Sequence, residues 1–180
     1  GTIIYRWEVS GVPRFYAEPD MPPYHTVVQR LLVSTVPDWE TISRWYWRLC
    51  EPHLKATTPE MQAMVDQLTA GLTDRQRKIE AIFQWASQQV RYMGITIEEE
   101  APDLEPHDVR FTFEKRHGVC RDKAALLVAL LRLAGFEAYP VLIHAGPKRD
   151  PEVPTVGFNH AITCVRNKNG SYQLMDCTDE

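Results

Sequence analysis

HGVCRDKAALLVALLRLAG, residues 117–135, is apolar at every position from Ala124 to Ala134 except Arg132. A helix that is apolar around its whole circumference belongs inside a domain, not on its surface. Immediately before the apolar run stand Cys120 and the charged trio Arg121, Asp122 and Lys123, with Gly118 upstream to permit a tight turn. The pattern places a thiol at the N-terminus of a buried helix. Free backbone N–H groups and the helix dipole favour negative charge at that end. Such surroundings make the thiolate, the nucleophilic form of cysteine, more available. A cysteine prepared in this way can attack a carbonyl carbon.

The bulk properties bound what can surround that helix. A chain of 180 residues supports one well-buried core with a small appendage. Its 44% hydrophobic and 24% charged content is that of an ordinary globular protein. A net charge of −4 and a pI near 5.9 argue against a nucleic-acid partner, which demands a basic face. The longest apolar run, Ala124 to Leu131, falls short of the roughly 20 residues a membrane-spanning helix needs. Cys50, Cys120, Cys164 and Cys177 form no CxxC pair, so neither a zinc ribbon nor a redox dithiol is indicated. One of them can be functional while three serve as small core hydrophobes. The chain opens at Gly1-Thr2 with neither an initiator Met nor a signal-peptide pattern, and reads as a piece of a longer protein.

Working outward, the N-terminal third reads as β and loop. Ile3–Val9 and Val27–Val36 are strand candidates, separated by Pro13, Pro19, Pro22 and Pro23. Asp38 caps a helix reaching Cys50, which Pro52 stops. Thr58-Pro59 opens a second helix with Met61, Met64, Val65 and Leu68 on one face, ended by Gly71. Thr73-Asp74-Arg75-Gln76 fits a capping box and opens a third, with Ile79, Ile82, Phe83, Ala86 and Val90 inward. The acidic, proline-interrupted Glu98–His107 is a loop, and Asp108–Lys115 is ambiguous between loop and short helix. Beyond the central helix come strands Phe136–His144, Gly157–Arg166 and Ser171–Cys177, with a turn at Asn167–Gly170. Helices followed by antiparallel strands with short connections predict an α+β fold.

A cysteine nucleophile needs a base, and the base needs an orienting acceptor on its other nitrogen. His160 lies in the strand FNHAITCV and Asp176 in the next one, YQLMDCT. A hairpin with its midpoint at Lys168 sets His160 opposite Asp176, Ile162 opposite Leu174 and Cys164 opposite Tyr172. Partners on one face require an odd-numbered loop or a bulge, which Gly170 can supply. Cys164 and Cys177 then fall out of line, so no disulfide joins them.

GVCRDKAALLVALLRLAG, FNHA and DCT, in that order, make residues Thr73 to Thr178 resemble the transglutaminase-like core of bacterial cysteine-protease-type proteins. The resemblance implies a papain-like fold, with the nucleophile on a central helix packed against an antiparallel sheet. It assigns Cys120, His160 and Asp176 as the catalytic residues. WEVSGVPRF and EPDMPP are similar to the end of a β domain that commonly precedes this core. The expected division is residues 1–55 as that β-rich end with a linker helix, and residues 56–180 as the core. Two positions depart from the family pattern Gly-Asp-Cys-Lys-Asp-Lys and Asp-Pro-Thr. Val119 replaces an acid beside the cysteine, and Cys177 stands within Asp-Cys-Thr.

The expected activity is cysteine-dependent acyl transfer on an amide of a protein or peptide through a thioester, with hydrolysis favoured over transamidation. It requires no metal or cofactor. An inactive peptide-binding module of the same fold is the alternative. Asp122 is read as capping the first turn of its helix, and Lys123 as structural or solvated. His117 is a substrate-contact candidate, Trp85 a core residue, and Trp39, Trp45 and Trp47 packing between the N-terminal piece and the core. Glu98-Glu99-Glu100 reads as a solvated loop. The backbone N–H of Cys120 is the expected oxyanion donor.

Overall fold

The computed structural model describes residues 2–94, 103–146 and 152–178. In chain order the elements are α1 (Tyr24–Val27), α2 (Trp39–Leu54), α3 (Pro59–Thr69), α4 (Arg75–Gln88), β1 (Arg91–Tyr92) and α5 (Val109–Lys115). They are followed by β2 (His117–Gly118), α6 (Cys120–Leu133), β3 (Ala138–Ile143), β4 (His160–Arg166) and β5 (Tyr172–Met175). The sheet β3-β4-β5 is antiparallel throughout, while β1 and β2 form a short parallel ladder.

The all-apolar run does occupy the centre. Every residue of α6 from Arg121 to Leu131 is buried. One face meets β4, where the Thr163 hydroxyl donates to the Ala124 carbonyl at 3.0 Å. The remaining circumference is covered by α2, α3, α4 and α5, which contribute Tyr46, Cys50, Met61, Val65, Ile79, Ile82 and Phe113 to the same core.

Local signals explain the helix starts. Asp38 accepts the Thr41 N–H at 2.7 Å and Thr58 accepts the Met61 N–H at 3.3 Å. The fourfold spacing of Ile42, Tyr46, Cys50 and Leu54 gives α2 its buried stripe. Pro52 does not stop α2; it sits in the last turn, and the helix runs on to Leu54. A proline there removes a single i→i−4 bond, and burial of Leu54 offsets that loss. The cap of α4 is Asp74, not Thr73: its carboxylate accepts the Arg77 N–H at 2.9 Å. A charged acceptor also gains from the helix dipole, which a threonine hydroxyl does not. The ambiguous segment is the helix α5, closed by Arg116 in the left-handed region at φ 60°.

Two expectations fail. Residues 2–38 contain no strand, and Val27 belongs to the four-residue helix α1. The run Ile3–Val9 has β propensity but pairs with no strand among the described residues, and Ile3 is 75% exposed. Without a neighbouring strand or a buried face, an extended segment gains neither ladder bonds nor apolar burial. The β4–β5 register is displaced by two residues. Cys164 pairs with Leu174 and Arg166 with Tyr172, so the hairpin centres on Asn169. A two-residue slip keeps every side chain on its own face, so the apolar pattern cannot detect it. The turn decides: Asn167 N–H donates to Ser171 O, and Asn169 Oδ1 accepts both the Ser171 N–H and its hydroxyl.

Candidate active site

Cys120 is the first residue of α6, and Val119 before it offers no side-chain acceptor for the exposed N–H groups of the first turn. Asp122 supplies the carboxylate instead. Its Oδ2 accepts the Val119 N–H at 3.1 Å, while Oδ1 accepts the His107 backbone N–H at 3.0 Å and pairs with His107 Nδ1 at 3.1 Å. Gly118 serves this arrangement by close approach, not by a turn, since its φ is not positive. A Cβ on Gly118 would lie 2.7 Å from the Asp122 Cβ and 3.3 Å from Thr112 Cγ2. Lys123 is 1% exposed, and its ammonium donates to the carbonyls of Ser87 and Val90, at 3.1 and 2.5 Å. A cation at the C-terminal carbonyls of α4 meets the negative end of that helix. The charged trio after Cys120 therefore includes two buried ties that fix the helix start.

The sheet brings the other two expected site residues together. His160 begins β4 and Asp176 follows β5, and His160 Nε2 lies 2.7 Å from Asp176 Oδ2. The two-residue register shift makes them diagonal neighbours instead of opposed ones, still within reach on a shared face. The bond to a carboxylate puts a proton on Nε2 and leaves Nδ1 with its lone pair. Asp176 is itself oriented, because Oδ1 accepts the N–H of Thr178 at 3.0 Å and its hydroxyl at 2.7 Å. Burial would raise the Asp176 pKa, but the bonds from His160 and Thr178 outweigh it and hold it below the usual carboxylate value. Asn159 pins the start of β4, exchanging bonds with the Ala145 N–H and carbonyl at 2.7 and 2.9 Å. No hydrogen bond joins Cys120 to His160; such contacts are often long in unliganded enzymes.

All four cysteines are free, and Cys120 alone is partly exposed. Burial pushes the Cys50 thiol up to about 11 and Cys177 to about 12, and raises Cys164 as well. Tyr92, paired with Gly118 through β1–β2, stands near both Cys120 and Asp176. Burial first, and then those two charges, raise its pKa. A groove of about 950 Å³ between α2 and the sheet is lined by Trp39, Tyr46, Trp47, Tyr139, Phe158 and Leu174, among others. Cys120, His160 and Asp176 do not line it, but Phe158 and Leu174 stand two residues before the last two.

The remaining candidates sort by contact. Trp85 stacks on Phe113, with the Arg116 guanidinium 4.5 Å above its ring, which is a packing role. Trp47 packs edge-on to Tyr139 and beneath Arg132, Trp39 packs edge-on to Phe158, and Trp45 is 38% exposed. His117 is exposed and touches the ring of Phe111. Glu98-Glu99-Glu100 lies outside the described residues. Sequence reasoning missed Asn159 and Thr178. Both have local signals: an Asn beside the histidine and a Thr two residues after the aspartate, the spacing of a side-chain turn.

The family model described as the transglutaminase-like superfamily matches residues 62–177, more than half of the chain. No curated protein matches it in sequence. Among solved structures, one from Parabacteroides distasonis described as a "putative protease" is 15% identical with a TM-score of 0.56, covering 79% of this chain and 27% of that one. A "putative cysteine protease" from Cytophaga hutchinsonii is 24% identical with a TM-score of 0.52, covering 72% of this chain and 42% of that one. The chain thus spans less than half of either protein, and at these identities the likeness shows the fold. No helix of the described residues is long and apolar enough to cross a membrane. A central helix bearing Cys120 against an antiparallel sheet is the papain-like arrangement, and the chain belongs to the transglutaminase-like superfamily.

Proposed function

We propose that the protein transfers acyl groups from amide bonds of a polypeptide through a thioester on Cys120, with water as the acceptor. Family membership supports a cysteine-dependent enzyme. Two observations support the finer reading: the His160–Asp176 bond of 2.7 Å, and a Cys120 that alone among the four cysteines is partly exposed. His160 Nδ1 takes the thiol proton and Cys120 Sγ attacks the amide carbon. The tetrahedral oxyanion forms next to the Cys120 N–H. The imidazolium, stabilised by Asp176, gives its proton to the leaving amine as the C–N bond breaks. Water, deprotonated by His160, then attacks the thioester and releases the carboxylic acid and the thiol. The apolar groove beside the site suits an extended peptide segment.

The test is an acyl-type thiol probe and turnover of a denatured protein substrate, compared between the wild-type chain and Cys120→Ala. A probe adduct at Cys120 and loss of turnover in Cys120→Ala are expected. A folded wild-type protein that forms no adduct and cleaves nothing would leave the peptide-binding module in place of this reading.

A further inference from the structure

The groove between α2 and the sheet is open, aromatic and unevenly charged. Trp39, Tyr172 and Leu174 line it while 40%, 53% and 61% exposed. Large apolar side chains left in water side by side mark a surface made to be covered. Ring contacts between α2 and the sheet define its two ends. At one end Trp39 packs edge-on to Phe158 at 6.4 Å, and Phe158 stands two residues ahead of His160. At the other end Trp47 packs edge-on to Tyr139 at 5.7 Å, and Tyr139 pairs with Cys164. Cys164 lies four residues along β4 from His160, about 13 Å at roughly 3.3 Å per residue. The groove therefore leads from the level of the His160–Asp176 pair to a far end beside Trp47 and Arg48.

Charge distinguishes that far end. Among the described residues, the charged side chains lining the groove are Arg44 and Arg48, and no carboxylate lines it. Arg44 pairs with Glu40, and the other carboxylate of α2, Glu51, pairs with Lys55 at 3.0 Å. On the sheet side, Glu137 accepts from the Tyr139 hydroxyl at 2.7 Å and from Arg166 at 3.2 Å. Arg48 Nε donates to the Arg44 carbonyl at 3.2 Å, and among the described residues no carboxylate meets its guanidinium. A guanidinium anchored at one nitrogen keeps two others for a carboxylate, which it matches in charge and shape. We propose that this groove sets substrate choice. It takes an extended segment of the acyl-donor polypeptide, with a bulky apolar side chain among Trp39, Phe158 and Leu174. An Asp or Glu of that segment, about four residues from the bond attacked, meets Arg48. The apolar side chain supplies most of the affinity, and the ion pair at an exposed rim supplies selectivity. The proposal rests on the reading that Cys120 acts on an amide of a polypeptide.

The test uses a library of synthetic peptides with randomised central residues, read in two ways by mass spectrometry. Wild type and Arg48→Glu are compared for the bonds they cut, and Cys120→Ala with and without Arg48→Glu for the peptides it retains when immobilised. Arg48 is exposed, so its replacement leaves the core untouched. Wild type should cut, and Cys120→Ala retain, peptides enriched in Asp or Glu about four residues from the cut bond, with a bulky apolar residue between. Arg48→Glu should cut and retain those peptides about tenfold less well and favour Lys or Arg at the same place. Arg48→Ala should lose about threefold, as expected of an exposed ion pair. Cutting without an acidic preference, or with the same preference in Arg48→Glu, would overturn the proposal and leave the acyl-transfer reading standing. Retention that depends on Arg48, with no cutting by wild type, would keep the groove and overturn acyl transfer. Neither cutting nor retention would overturn both. A dimer in sedimentation equilibrium that Leu174→Glu dissolves would show a second copy covering the groove, which also overturns the proposal.

Discussion

Asp122→Ala tests the idea that a single buried carboxylate holds the start of the central helix. The substitution removes the acceptor of the Val119 and His107 backbone N–H groups, and the partner of His107 Nδ1. The imidazole can change tautomer or turn toward solvent, so its loss counts for little. The two backbone donors cannot move without displacing the chain. Each buried donor left unpaired costs about 1–3 kcal/mol, and the Val119 bond is also the helix cap. A loss of about 3–4 kcal/mol is therefore expected, a large part of the roughly 5–15 kcal/mol that holds a domain together. In a chain of this size each kcal/mol moves the melting temperature by about 2–4 °C, so Asp122→Ala should melt about 10 °C lower. Asp122→Asn, whose amide oxygen can keep one of the two N–H bonds, should fall between it and wild type. The assay is urea unfolding followed by circular dichroism, with thermal melts beside it. If Asp122→Ala loses less than about 1 kcal/mol, the carboxylate is not what fixes Val119 and His107.

Gly118→Ala should cost about 1–3 kcal/mol by overpacking in the same urea assay, because the new methyl would sit 2.7 Å from the Asp122 Cβ. A variant as stable as wild type would show that the loop yields freely. His53 spans Asp108 and Glu105 at 2.7 and 2.8 Å. Burial would lower its pKa, but the bonds to these carboxylates outweigh it and raise it. A raised pKa means a contribution that is complete below the unfolded value of about 6.5 and lost as pH rises through the folded one. His53→Gln should flatten that part of the stability-against-pH curve, and an unchanged curve would remove His53 from the account. Asp176→Asn should slow turnover less completely than Cys120→Ala, since it disturbs the imidazole without removing the nucleophile. Equal loss in both variants, with intact folding, would contradict the role given to Asp176.

How much of this was visible in the sequence follows from the range of each force. The helix carrying Cys120 announces itself because it is buried from Arg121 to Leu131, and an apolar run bounded by charges and Gly135 has few other solutions. Parity in the β4–β5 hairpin was equally legible, because one face must meet the core. Its phase was not, since a slip of two residues changes no side chain's face, and the turn from Asn167 to Ser171 sets it. The strand-like runs in residues 2–38 misled for the complementary reason. β propensity describes how a residue fits a sheet, and among the described residues no strand pairs with these runs. Lys123, legible as either structural or solvated, proves structural, whereas nothing marked Arg121 as buried: a charged residue one place beyond a helix start reads as solvated until the tertiary fold closes over it.

The site is made of chain ends, and that explains which residues position it. The start of α6, the start of β4 and the chain beyond β5 are places where the backbone leaves its own hydrogen-bonded ladder. Apolar packing fixes the axes of these elements but not the last residue of each, whose free N–H and C=O groups can still rotate. A short polar side chain is bound at each end. Asp122 takes the N–H of Val119, Asn159 exchanges both bonds with Ala145, and Asp176 folds back on Thr178. Two of these ties lie within one or two residues of Cys120 and His160, and the third is made by Asp176 itself. A core substitution such as Leu127→Ala should then lower stability by about 2–5 kcal/mol while leaving the geometry of the surviving folded molecules in place. Loss of an end tie should do the reverse at Asn159, where the bonds are exposed and worth little to stability but fix the strand that presents His160. Asn159→Ala should therefore reduce turnover with a melting temperature close to wild type, and a melting loss as large as that of Leu127→Ala would refute this division.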